Sequence, residues 1–155
     1  QVEEKKYFDD GVHEEIIATG RAKFICKTTY MNNMQNGLKS VFRVNCPQFC
    51  EINMLNNKRH GLFKQWHRSE QISEETYYVN NKKHGTCKEW LENYTGHPSS
   101  ITNFINGVPI SGHDFYTNGN VSDELIYKDG LLIKSINFLP TGVKYSEEDF
   151  GSNSI

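Results

Sequence analysis

The chain repeats itself, and this limits its folding more than any other feature. Asn56-Asn57-Lys58-Arg59-His60-Gly61-Leu62-Phe63-Lys64-Gln65-Trp66 returns 24 residues later as Asn80-Asn81-Lys82-Lys83-His84-Gly85-Thr86-Cys87-Lys88-Glu89-Trp90. One step of 24 earlier, Asn32-Asn33-Met34-Gln35-Asn36-Gly37 keeps the asparagines and the glycine, and Phe42 keeps the aromatic. Later copies are worn: Asn106-Gly107 leads to Tyr116 and Asp129-Gly130 to Phe138, with spacings of 26 and 23. Asp9-Asp10-Gly11 fits as a degenerate first copy. A fixed period in this range means one supersecondary unit stacked on its neighbours. Six turn signals, at Asp9, Asn32, Asn56, Asn80, Asn106 and Asp129, divide the 155 residues into about six units.

Two columns of large residues keep step with the turns. Tyr7, Tyr30, Met54, Tyr78, Phe104 and Tyr127 stand two residues before each turn. Phe42, Trp66, Trp90 and Tyr116 stand ten after it, with Phe138 one residue early. Each copy reads as two short strands, for example Gly61 to Trp66, a polar tip at 67–70, then Gln71 to Val79. The expected fold is all-β: an elongated, twisted, single-layer antiparallel meander of hairpins. Asn-Asn, Asn-Gly and Asp-Gly pairs tolerate the positive φ that two-residue hairpin turns require. With Asn81-Lys82 as the tip, Tyr78 faces Gly85, Tyr30 faces Gly37 and Met54 faces Gly61, so each large side chain covers a strand glycine. His60 and His84 are then turn-flanking residues. Alternation places Trp90 with Thr86 and Lys88 on the face opposite Tyr78, so both faces carry aromatics and one row stays open to a partner.

Function is constrained mostly by exclusion. Seventeen Lys plus Arg against nineteen Asp plus Glu leave no positive excess to drive phosphate binding, which argues against nucleic acid. No run of about 18 apolar residues occurs, and Gln1-Val2-Glu3-Glu4-Lys5-Lys6 lacks a signal-peptide core. The expectation is an intracellular, cytoplasmic protein, with a virion as the alternative; a start without Met leaves a processed terminus open. No nucleophile elbow, zinc-protease helix motif, phosphate loop or dinucleotide fingerprint is present, so no catalytic residue and no cofactor is expected. Cys46 and Cys50 with His60 and His67 offer zinc ligands at poor spacing, and no metal site is expected. The four cysteines are expected to be free thiols. Asn93-Tyr94-Thr95 and Asn120-Val121-Ser122 match the glycosylation pattern by chance.

The motif of an aromatic, a spacer, Asn-Gly-Lys-x-x-Gly and a second aromatic at a period of 23 to 24 resembles the MORN repeat, in the variant of the YwqK-type antitoxin-like family and of giant-virus MORN proteins. Tyr78 to Trp90 is the best match, and the likeness runs from Tyr30 to Tyr145. Asn57 and Asn81 stand where the motif has glycine, and an insertion occupies Leu91 to Ser100. On this basis residues 1–29 are a degenerate repeat or cap, 30–145 the hairpin repeats and 146–155 a C-terminal tail. The resemblance implies a non-catalytic scaffold for protein–protein interaction or assembly, including a structural part of a large DNA virus particle; the alternative is an antitoxin-like inhibitor that occludes a toxin. Membrane binding is not carried over, because no polybasic cluster or basic amphipathic face is present. The partner surface is expected at Phe42, Trp66, Trp90 and Tyr116, with Lys58, Arg59, Lys82 and Lys83 as a basic ridge along the tips. The two edge strands are either blunted by charge, through Glu3 to Lys6 and Glu147 to Asp149, or paired with another chain. Sixteen asparagines match an AT-rich genome.

Overall fold

The computed structural model describes residues 8–46, 49–92 and 96–151. Tyr7, the charged segment 3–6, Pro47-Gln48 and the acceptor pattern at Asn93-Tyr94-Thr95 lie outside the described residues. Twelve strands follow one another: β1 (Gly11–Thr19), β2 (Ala22–Met31), β3 (Met34–Arg43), β4 (Phe49–Leu55), β5 (Lys58–Trp66), β6 (Ile72–Val79), β7 (Lys82–Glu89), β8 (Ser100–Ile105), β9 (Val108–Phe115), β10 (Val121–Lys128), β11 (Leu131–Phe138) and β12 (Lys144–Asp149). They form one antiparallel sheet in strict sequence order. The expected all-β meander is therefore what the chain adopts. At the usual strand spacing the sheet runs about 53 Å from β1 to β12. Strand β2 straddles residues 29 and 30, and β12 includes 146–149, so the sheet is continuous across both sequence-based divisions.

Five two-residue turns line one margin of the sheet, at Asn32-Asn33, Asn56-Asn57, Asn80-Asn81, Asn106-Gly107 and Asp129-Gly130. Both residues of every turn have positive φ, from 48° at Asn80 to 85° at Gly107. That is the twist-matched hairpin turn, and asparagine is the side-chain-bearing residue that enters this region most readily. The tip is thus Asn80-Asn81, one residue earlier than Asn81-Lys82, because the asparagine pair takes both left-handed positions. Val79 consequently pairs with Lys82 and Tyr78 with Lys83.

The displaced tip leaves surplus residues, which collect in a bulge. Between the pairs Tyr78↔Lys83 and Thr76↔Cys87, the single residue Tyr77 opposes His84, Gly85 and Thr86. The same excess recurs opposite Asn53 and Thr29. Two extra residues preserve the alternation of side chains. The glycines do not face the aromatics expected: Gly37 pairs with Met54, Gly61 with Tyr78 and Gly85 with Phe104, each on the following strand. Gly61 sits at φ 108°, and a Cβ there would lie 3.1 Å from Asn53 Cβ. The worn copies, lacking this glycine, carry a smaller irregularity beside Phe104 and Tyr127.

Neighbouring tips are tied together. Asn81 N donates to Arg59 O at 2.9 Å, and Arg59 N donates back to Asn81 Oδ1 at 2.8 Å. Asn57 and Gln35 make the same reciprocal pair, at 3.1 and 2.8 Å. Asparagine in place of the motif's glycine thus supplies a side-chain acceptor that glycine lacks, while keeping the turn. A second column precedes each bulge glycine: Asp10 Oδ1 accepts from Asn32 N, Asn36 Oδ1 from Asn56 N and His84 Nδ1 from Asn106 N. His60 occupies the equivalent place, but its Nδ1 is buried without a partner.

One face is better covered than the other. Cys26, Thr28, Tyr30, Ile52, Thr76, Tyr78, Cys87, Gly112 and Ser135, nine of the ten buried residues among those described, lie on it; Ser40 is on the open face. A continuous cross-strand row on the covered face runs from His13 through Thr28, Ile52, Phe63, Thr76, Cys87 and Leu125 to Glu148. The Arg59 guanidinium lies 5.5 Å from the Tyr78 ring and Lys83 Nζ lies 5.5 Å from the Phe104 ring, so long cationic side chains cap rings that no second layer covers.

Three connections on the opposite margin are five-residue loops of one design. His67 N donates to Gln71 O, Tyr116 N to Asn120 O and Leu139 N to Val143 O. The fourth residue is left-handed in each: Glu70 at φ 65°, Gly119 at 91° and Gly142 at 85°. Replacing Gly61 with alanine is expected to cost about 1–3 kcal/mol through strain and contact with Asn53, whereas Glu70→Gly should raise stability by a few tenths to about 1 kcal/mol; urea titration of both variants checks the opposite signs.

Candidate interaction surface

Alternation along the strands puts Phe42 and Trp66 on the open face. Trp66 follows Lys64 by two, and Lys64 pairs with Glu75 on the side away from Tyr78. Phe49, paired with Phe42, completes a three-ring stack: Phe42 to Phe49 at 5.3 Å and 16°, and Phe49 to Trp66 at 4.1 Å and 8°. All three rings are half-buried. The sequence columns missed Phe49 because it stands at the start of β4 and belongs to neither column. Only strand pairing brings it between the other two.

Trp90 and Tyr116 play a different part, at the margin opposite the Asn turns. The Trp90 carbonyl lies 2.8 Å from His67 Nε2, and Trp90 N donates to Ser73 O at 2.9 Å. The Tyr116 hydroxyl donates to Phe138 O at 2.7 Å. Both tie one loop to the next, as the reciprocal asparagine bonds do across the sheet. Asn120 Nδ2 likewise donates to Pro140 O at 2.7 Å.

The basic residues of the tips divide by position. Lys58, Arg59 and Lys82 are exposed, and Lys83 is half-buried. Arg59 and Lys83 turn onto the covered face as ring caps, and Lys83 Nζ also sits 3.1 Å from Glu74 Oε1. The open face carries alternating charge instead: Lys27 pairs with Glu14 at 3.5 Å, and Lys64 and Lys88 flank Glu75 at 3.6 and 3.9 Å. These ion pairs are solvent-accessible and contribute little stability individually. At the last strand, Lys134 and Lys144 hydrogen-bond Glu147 and hold its carboxyl down to about 2.

The covered face also gathers acids that no run in the sequence announces. Glu74 pairs with Glu89, Glu89 with Ser100, Ser100 with Asp114, and Asp114 with Asp123. Residues 9 to 25 positions apart in the chain become neighbours only through antiparallel pairing. Burial pushes the Asp114 carboxyl above its usual range, and Asp123 and Glu89 push the same way. Among the described residues, Glu74, Cys87 and Glu89 form the one group of three metal-ligand types with donor atoms within 4.8 Å of one another. The Lys83 ammonium already neutralises Glu74, and burial raises the Cys87 thiol, which disfavours the thiolate a metal needs. Cys46, Cys50, His60 and His67 form no such group, and all four cysteines are free. No helix among the described residues is long and apolar enough to cross a membrane.

Comparison with protein-family models and with curated proteins finds no match to this chain.

Asp114 also generates a pH dependence. Its folded-state pKa lies above the unfolded value, so this carboxyl contributes instability that grows as pH rises past about 4 and is relieved as pH falls. Asp114→Asn should therefore stabilise the protein at pH 7, with the gain vanishing near pH 3; denaturant midpoints at the two pH values check this.

Proposed function

We propose that this chain is a non-enzymatic, MORN-like repeat scaffold that docks another protein on the open face of its sheet, with Phe42, Phe49 and Trp66 at the centre of contact. The observation that carries this reading is the stack of three half-buried rings, spanning β3, β4 and β5 on a face that no described element covers. Flat aromatic area held rigid by its neighbours binds at low entropic cost, and aromatic residues dominate the energetic centres of protein interfaces. The charges around it suit a rim. Lys64, Glu75 and Lys88 alternate in sign across adjacent strands, which favours a partner of complementary pattern and disfavours one with a single sign.

The repeat motif supports the scaffold reading, since its columns are spent on turns, bulges and ring contacts. Trp90 and Tyr116 act on this account as loop ties beside the surface. Lys58 and Lys82 extend it along the tips. Affinity capture from the native source tests the proposal with the wild-type chain, Phe49→Ala/Trp66→Ala, and Trp90→Ala. Partners held by the wild type should be lost from the double variant by about 30-fold or more and largely retained by Trp90→Ala. Unchanged capture by a double variant that keeps its β-sheet circular dichroism would overturn it.

A further inference from the structure

A second feature lies at the loop-side ends of β2 and β3, where the basic residues form a cluster of their own. Arg21, Lys23, Arg43 and Arg68 line one hollow of about 310 Å³, together with Ala22, Val44, Asn45 and Cys46. Four of the chain's seventeen cationic side chains thus meet in one place, on a protein whose formal charge is -2. No carboxylate of a described residue lines the hollow. None of the four makes an ion pair with a described residue, whereas Lys27, Lys64, Lys83, Lys88, Lys134 and Lys144 all do.

The local fold holds this cluster in place. Val44 N donates to Lys23 O at 2.8 Å and Cys46 N to Arg43 O at 3.2 Å, while Asn45 takes a left-handed φ of 60°. The loop is thereby folded back beside the start of β2. Arg68 reaches the same hollow from the loop between β5 and β6. Arg43, the half-buried member, pairs across the strands with Phe24 and also lines an adjoining apolar hollow of about 310 Å³ with Phe24, Val41 and Cys50. Burial raises the Cys50 thiol and keeps it neutral, so it adds no charge to that wall.

We propose that these two hollows, which share Arg43, bind a small phosphate ester, with the phosphate held by Arg21, Lys23, Arg43 and Arg68 and an apolar body seated against Phe24 and Val41. Three guanidinium groups offer the forked donors that match phosphate oxygens, and Lys23 adds a point charge. The size and the mixture of apolar wall and convergent polar groups suit a small ligand. The apolar hollow also touches Phe49, the middle ring of the stack proposed to dock a protein, whereas Arg21, Lys23, Arg43 and Arg68 all lie outside that stack, so loss of phosphate binding on their replacement is read independently of protein docking.

Isothermal calorimetry at fixed ionic strength with phenyl phosphate, inorganic phosphate and phenol tests the assignment. Phenyl phosphate should bind saturably and more tightly than inorganic phosphate, and phenol should not bind. Arg43→Gln should weaken phenyl phosphate about tenfold, and the loop-borne pair Arg21→Gln/Arg68→Gln should weaken it further. Phe24→Ala should abolish the preference for phenyl phosphate while leaving inorganic phosphate bound. Lys58→Gln/Lys82→Gln, at the far margin, should bind like the wild type. No saturable binding, equal binding by the folded Arg21→Gln/Arg68→Gln variant, equal weakening by Lys58→Gln/Lys82→Gln, or a phenyl preference that survives Phe24→Ala would each overturn the proposal.

Discussion

A single sheet has no second layer to bury its side chains, and the rest of this molecule answers that constraint. Most small β proteins close a barrel or stack two sheets. Here a large ring lies across from the backbone of a strand glycine, as Tyr78 does from Gly61, and an arginine or lysine from the intervening hairpin is drawn over it. The covering material is the long aliphatic stem of a charged residue. Nine buried residues on one face result, including Thr76 and Cys87 at 1% and 3% exposure, without a helix or a second sheet among the described residues. Thr76 could not be so buried unless its hydroxyl were satisfied, and Glu74 Oε1 lies 2.7 Å away.

Much of this was legible in the sequence, because repeats announce their geometry through spacing. The hairpin repeat and the placement of Trp66 opposite Tyr78 follow from a period near 24 and the alternation of strand side chains. Legibility stopped at the hairpin tip. Asn81-Lys82 and Asn80-Asn81 are both chemically reasonable turns, and the difference of one residue changes the pairings of Val79, Tyr78 and Tyr77, up to the bulge that restores Thr76↔Cys87. Left-handed geometry at both asparagines decided between them, and the surplus appeared as a bulge that no local propensity predicts. The candidate surface was half visible for a similar reason. Phe42 and Trp66 lie in a column, but Phe49 enters the stack through pairing between strands. The acidic row of Glu74, Glu89, Asp114 and Asp123 and the basic hollow at Arg43 are likewise products of pairing, scattered in the chain and adjacent in the fold.

The two faces serve different ends. The covered face spends its rings on stability and accumulates like charges that oppose it, with Asp114 the clearest case. The open face keeps its rings half accessible and its charges alternating. A surface that holds the fold together is a poor place to admit a partner, which is why the docking proposed above falls on the open face. The same division explains why Arg59 and Lys83 do not stand free beside Lys58 and Lys82, although the sequence writes them as matched pairs.

The reciprocal hydrogen bonds between asparagine tips make one margin of the sheet a bound spine, like that of a book, while the other is a set of loose page ends. Every described connection along the spine is two residues long, whereas those along the loose side differ, from the pair at Gly20 and Arg21 to the ten residues between Glu89 and Ser100. Lengthening a spine turn would break bonds to the neighbouring tip. Lengthening a loose end would leave every page in place. New sequence, and with it new binding chemistry, can therefore be added along only one margin of this protein, the margin where the basic hollow already lies.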